Sequence, residues 1–183
     1  MGNSTTIYDN LLPLVNQLRS AVQGDQFWES YLERLNSPDS VPITLHLAIL
    51  VEPYLQFILD GTKTVESRFS TRRFAPYNRV EKGDIVLLKK SSGPIVGICQ
   101  ITHAWFYHLD PESWQTLKED FAVAICAQDP NFWKEREAAS FATLMRIQNV
   151  KSIEPIKFAK RDRRGWVILY ENSGQLQLDL GGL

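Results

Sequence analysis

The stretch that most constrains this chain is residues 53–68, PYLQFILDGTKTVESR. Pro53 is suited to open a short helix, because its ring presets φ and its missing N–H would have had no partner there. Tyr54, Phe57 and Ile58 form the apolar stripe of that helix, and Gly61 ends it as a left-handed cap. Lys63, Glu66 and Arg68 follow within six residues, where a core strand would alternate apolar side chains. A point cation, an acceptor and a fork-shaped donor are the groups that grip an anion and a polar ring. The alternative is a set of cross-strand ion pairs, worth roughly 0.2–1 kcal/mol each. Strand alternation puts Thr64, Glu66 and Arg68 on one face and Lys63 on the other. Lys63 joins the other two only if it sits on the turn after Gly61, before the pleat becomes regular.

Around this stretch the chain divides at residues 37–42, SPDSVP, where two prolines interrupt the pattern. The expected domains are therefore an N-terminal helical extension at 1–42 and a main domain at 43–183. In the extension, Leu11, Leu14, Val15, Leu18 and Val22 recur at helical spacing over 7–22, with Asp9 or Asn10 as cap and Pro13 tolerated only near the first turn. A second helix is expected over 25–36, capped by Asp25. The two form a helical hairpin, packed on the main domain or used to pair two copies. In the main domain, strands are expected at 44–51, 63–69, 84–90, 95–107, 142–150 and 165–170, with another at QLQLDL near the end and a helical insert at 111–139 broken at Gln128-Asp129-Pro130. Gly97 marks a bulge or bend. Many short strands with helical interruptions point to an α+β fold, a small mixed β-barrel with peripheral helices.

At 183 residues and 44% apolar, the chain is an ordinary globular length and composition. Its two cysteines, Cys99 and Cys126, lie in apolar runs and form no CxxC pair; they read as small buried hydrophobes in a reducing compartment. With no apolar run of about 20 residues and no basic-then-apolar leader pattern, the expected location is cytoplasmic, with no membrane partner. Net charge is −1 but segregated. Residues 61–90 hold eight basic side chains against three acidic, and residues 151–164 hold six against two. These blocks either solvate loops or present one positive face to an anionic polymer. In the first block, Arg72, Arg73 and Arg79 alternate with Phe74 and Tyr77, a composition that suits single-stranded RNA. It equally suits a solvated loop whose two rings, Phe74 and Tyr77, tuck into the barrel end. The second block, KFAKRDRR, brings Lys160, Arg161, Arg163 and Arg164. His46, His103 and His108 show no ligand spacing, so no metal site is expected. Trp105, Trp114 and Trp133 read as core, and Trp166, after Arg163-Arg164-Gly165, reads as core or as reaching the cleft.

Residues 53–68, followed by Lys82-Gly83-Asp84 at the start of a strand, resemble the ASCH domain family: a short helix, glycine-x-lysine-x-x-glutamate-x-arginine, then a glycine-aspartate turn. The resemblance covers about residues 44–170, and ASCH domains are similar to the PUA-type RNA-binding barrels. It implies a PUA-like barrel with a helix lining a cleft, and RNA or a modified nucleoside as ligand. Some members are ribonucleases and others hydrolyse the amide of N4-acetylcytidine. In those amidohydrolases a threonine stands where this chain has Glu66, which argues against the same chemistry here.

The leading expectation is an RNA- or nucleotide-binding module with a basic cleft. Tyr54, Lys63, Glu66 and Arg68 read a base, and Arg72, Arg73, Arg79, Lys160, Arg161, Arg163 and Arg164 meet phosphates. The alternative is an enzyme in the same cleft, a ribonuclease or amidohydrolase with Lys63 and Glu66 as catalytic pair. No cofactor is expected, although a ribonuclease admits a divalent ion. A third reading has the N-terminal helices bind a protein partner or a second copy.

Overall fold

A computed structural model describes residues 5–36, 41–159 and 163–171. The strands Thr44–Leu50 (β1) and Ile85–Lys90 (β3) are apolar on both faces and pair in parallel, as strands covered on both sides do. Leu45, Leu47, Ile85 and Leu87 point to one side, while Ala48, Val86 and Leu88 point to the other. Two layers must therefore cover them, and the N-terminal helices supply one. Thr5–Ala21 (α1) and Gln26–Glu33 (α2), with a short 3₁₀ turn at Arg34–Asn36, set Leu14, Leu18, Val22, Trp28 and Leu32 into the cluster with Leu45 and Leu87. Asp25 caps α2 as expected, accepting from the Trp28 N–H at 3.1 Å. Polar contacts fasten the helix to the sheet: Trp28 Nε1 donates to the Asn149 carbonyl (2.9 Å) and the Tyr31 hydroxyl to the Gly83 carbonyl (2.6 Å). These helices share one core with the strands. Asp9 and Asn10 lie inside α1 rather than at its cap, and Pro13 lies well past the first turn.

Beyond β1, Tyr54–Leu59 (α3) buries Leu55 and Ile58 against the inner face; Tyr54 and Phe57 are only half-buried. Gly61 follows at φ 81°, the left-handed geometry expected of it. Then come Val65–Ser70 (β2), β3, Ile95–His108 (β4), the insert, Phe141–Ile156 (β5) and Trp166–Glu171 (β6). The insert holds Pro111–Thr116 (α4), a π-helical turn at Leu117–Phe121 and Pro130–Lys134 (α5). It covers the outer face of β2 and β5 through Leu117, Ile125 and Phe132, which pack on Val65 and Leu144. Trp105, Trp114 and Trp133 are only partly buried at the margin of this layer. The ladder at Gly97 shifts register against both neighbours, and a Cβ there would stand 2.8 Å from Leu59 Cδ2, so any side chain at this position would make Leu59 of α3 move.

The strand order is β2-β5-β4-β3-β1-β6. This corrects the expected barrel, for the six strands form one sheet whose ends, β2 and β6, do not pair. The reason lies in β2. Its Val65 N–H donates to Ala124 of the insert at 3.0 Å, and its Arg68 side chain spans the gap, donating to the carbonyls of Gly165 (3.0 Å) and Ile49 (3.1 Å). A side chain, not a backbone ladder, holds the seam. The strand expected at QLQLDL lies outside the described residues. No described helix is long and apolar enough to cross a membrane.

Candidate functional site

Lys63 precedes the regular pleat of β2, its N–H held by the Phe57 carbonyl at 2.8 Å. That turn is what lets it reach the face occupied by Glu66 and Arg68. The Lys63 ammonium bonds Glu66 Oε2, and Arg68 Nε stands 2.7 Å from Glu66 Oε1. The Arg68 Nε–H is not aimed along that line, so this second contact is an ion pair without hydrogen-bond alignment. Lys63 and Glu66 are both buried, at 3% and 5% exposure. Burial pushes the Glu66 carboxyl upward, but Lys63 and Arg68 together outweigh it and hold it below its ordinary value. Two cations thus surround one carboxylate, leaving a surplus positive charge beside an opening.

That opening is a cavity of about 420 Å³. Lys63, Glu66 and Arg68 form one wall. Tyr54 of α3 lies opposite, its ring centre 5.8 Å from the Lys63 ammonium. The insert supplies the rest: Phe132 sits edge-on to Tyr54 at 6.1 Å, and the Arg136 guanidinium stacks 3.8 Å over Phe132, with Glu135 beside it.

A second cavity, about 600 Å³, opens on the other side of Arg68. Arg73, Arg79 and Arg164 line it, with Phe74, Thr143 and Trp166. Phe74 is 60% exposed, whereas Tyr77 packs against Phe106 and Phe141. The two rings of this loop therefore divide, one tucked in and one out. Arg79 pairs with Glu171 at 2.5 Å. Arg72 and Arg163 are exposed and line neither cavity. Lys160 and Arg161 lie outside the described residues.

Trp166 links this wall to a sealed polar group. Its ring lies 5.3 Å from the Arg68 guanidinium, and its Nε1–H donates to His46 Nδ1 at 3.1 Å. An indole N–H only donates, so Nδ1 accepts and His46 carries its proton on Nε2, which faces Asp84 Oδ2 at 3.0 Å. Asp84 also accepts from the backbone of Thr44 (2.9 Å) and Glu81 (2.7 Å). His103 and His108 are exposed. Cys99 and Cys126 are free thiols, with Cys99 buried and its thiol pushed up by burial and by Glu66. Among the described residues, no three of His, Cys, Asp or Glu gather as a metal site.

The sequence reading missed Phe132, Glu135, Arg136 and Thr143. The Phe132–Arg136 spacing, i to i+4, was the available signal for a stacked cation; nothing local placed it over Tyr54.

The ASCH domain family model matches residues 49–157. Among solved structures, the chain is similar to an ASCH protein from Zymomonas mobilis, at 17% identity and TM-score 0.50, covering 61% of this chain and 72% of that one. It also matches the N-terminal domain of Staphylothermus marinus McrB, at 12% identity and TM-score 0.38, over 63% of this chain and 76% of that one. No curated protein matches it.

Proposed function

This chain belongs to the ASCH domain family, and from that premise we propose that it is an RNA- or nucleotide-binding module whose ligand lies along the seam between β2 and β6. The observation that carries the reading is the buried Lys63–Glu66–Arg68 cluster, two cations on one carboxylate, facing a ring-lined cavity. The cluster holds one more cation than carboxylate at the edge of an opening, and an oxygen-bearing base edge or a phosphate would meet that charge. Tyr54 and Phe132 offer edges and faces for a planar ring.

Binding is favoured over hydrolysis by the state of Glu66. Both its oxygens are engaged by cations, and a carboxylate held below its ordinary pKa is a weak proton acceptor. Residues 43–183 are taken as the binding domain and 1–42 as an extension, whose helices α1 and α2 pack on one face of β1 and β3. The burial of Leu14, Leu18 and Trp28 against the strands supports that supporting role over self-association. Two unpaired cysteines suit a cytoplasmic setting.

The test incubates the purified chain with labelled single-stranded RNA, with and without divalent ions. The expected outcome is binding that weakens steeply with salt, falls about tenfold or more in Lys63→Ala, and leaves the RNA intact. Cleavage abolished by Lys63→Ala would transfer the site to a ribonuclease. Undetectable affinity at low salt would end both readings.

A further inference from the structure

The two cavities differ in charge in a way that divides a ligand. The one beside Lys63 sets three cations, Lys63, Arg68 and Arg136, against two carboxylates, Glu66 and Glu135, and its remaining walls include three rings. It carries one net positive charge, and its three rings suit a flat heterocycle with an oxygen-bearing edge. The one beyond Arg68 is lined by four guanidinium groups, and among the described residues no carboxylate lines it. Glu171, which pairs with Arg79, stands outside that lining.

Arg68 belongs to both. Its two Nη atoms are committed to the Gly165 and Ile49 carbonyls, so it acts as a fixed bar between the cavities. Gly165 is bare at the crossing, where a Cβ would stand 3.1 Å from Arg68 Nη1. Phe69 lines both cavities as well, so the two lie side by side across Arg68 and Phe69. Exposed Phe74 at the edge of the second cavity offers a face to a neighbouring base.

We propose that the cavity lined by Arg73, Arg79 and Arg164 is a phosphate seat, and that the ligand is a phosphorylated nucleotide with its base beside Lys63 and its phosphate across the Arg68 bar. This rests on the nucleotide-binding reading and adds to it a requirement that reading lacks: a nucleoside without phosphate fills only half the site. Arginine forks suit phosphate oxygens.

The test titrates the full chain with the four ribonucleosides, their 5′- and 3′-monophosphates, and inorganic phosphate alone, by calorimetry at low salt. One or both monophosphates are expected to bind at least about tenfold more tightly than the matching nucleoside. Arg73→Gln with Arg164→Gln is expected to abolish that advantage while leaving nucleoside affinity within about twofold, since neither residue lines the first cavity. Both side chains are exposed, and an unchanged melting curve confirms that the double variant is folded. Equal affinity for nucleoside and monophosphate overturns the proposal, as does an advantage that survives the double variant. Binding of inorganic phosphate alone at the same strength as the monophosphates overturns the shared site, leaving an anion site only. If labelled RNA still binds in any of these cases, the nucleotide-binding reading stands and the phosphate seat alone fails. If neither RNA nor any mononucleotide binds, both fail.

Discussion

Two buried polar clusters sit on either side of Trp166, and they are built to opposite rules. The Asp84–His46–Trp166 group is closed: every donor in it meets an acceptor, Asp84 accepts from a ring and two backbone N–H groups, and the members are nearly sealed from water. The Lys63–Glu66–Arg68 group is open: it holds one charge too many and borders a cavity. A satisfied network specifies and stiffens a fold. An imbalanced one beside an opening is a site waiting for a counter-charge. Burial alone does not separate the two; the sum of charges and the presence of a void do.

The largest effect that tests this contrast is expected in the closed group. Asp84→Ala strands the His46 ring N–H and two backbone donors, and should lower unfolding free energy by about 3 kcal/mol in urea titration. Ligand affinity of the folded fraction should be unaltered. A loss below about 1 kcal/mol would mean the group is not a structural anchor. Next is Glu66→Gln, which leaves Lys63 and Arg68 facing each other without their carboxylate and should cost about 2 kcal/mol at neutral pH. Because Glu66 titrates below its ordinary value of 4.5 in the fold, its contribution is complete above that pH. It disappears as acid carries the carboxyl through its lowered folded value. The gap between wild type and variant should therefore be constant above about pH 5 and close in stronger acid; a gap that persists unchanged to pH 2 would break the assignment. Smallest is Trp166→Phe, which keeps a ring beside Arg68 but deletes the indole donor to His46. It should cost about 1 kcal/mol in urea titration, and a cost below about 0.3 kcal/mol would show that the indole N–H is not part of the closed network.

The sequence carried the helix, the Gly61 stop and the Lys63 turn because each is a short-range matter of φ, period and cap. It also exposed the Lys63–Glu66–Arg68 spacing, since three charged groups at the start of a strand violate core alternation. What it hid were contacts made across the chain. Arg68 reads locally as a fork for a ligand, yet its two Nη atoms serve the carbonyls of Gly165 and Ile49, 97 and 19 residues away. Glu66 reads either as a free acceptor or as a member of ion pairs with its charged neighbours, and the structure has the pairs, with both oxygens taken by cations. Phe132 and Arg136 reach the cavity only because the insert folds over β2. His46 gave no ligand spacing and so no hint of Asp84, which pairs with it from 38 residues on. The barrel expected from strand count failed for a related reason: closure depends on whether the first and last neighbours meet, and here Arg68 and Ala124 take the edge of β2.

The unpaired seam leaves β2 gripped along one margin by β5 and along the other by Ala124 of the insert and the Arg68 side chain. Whatever occupies the gap becomes mortar as well as guest. An occupant that touches both rims would splint that strand, so recognition and rigidity would rise together in the same few residues.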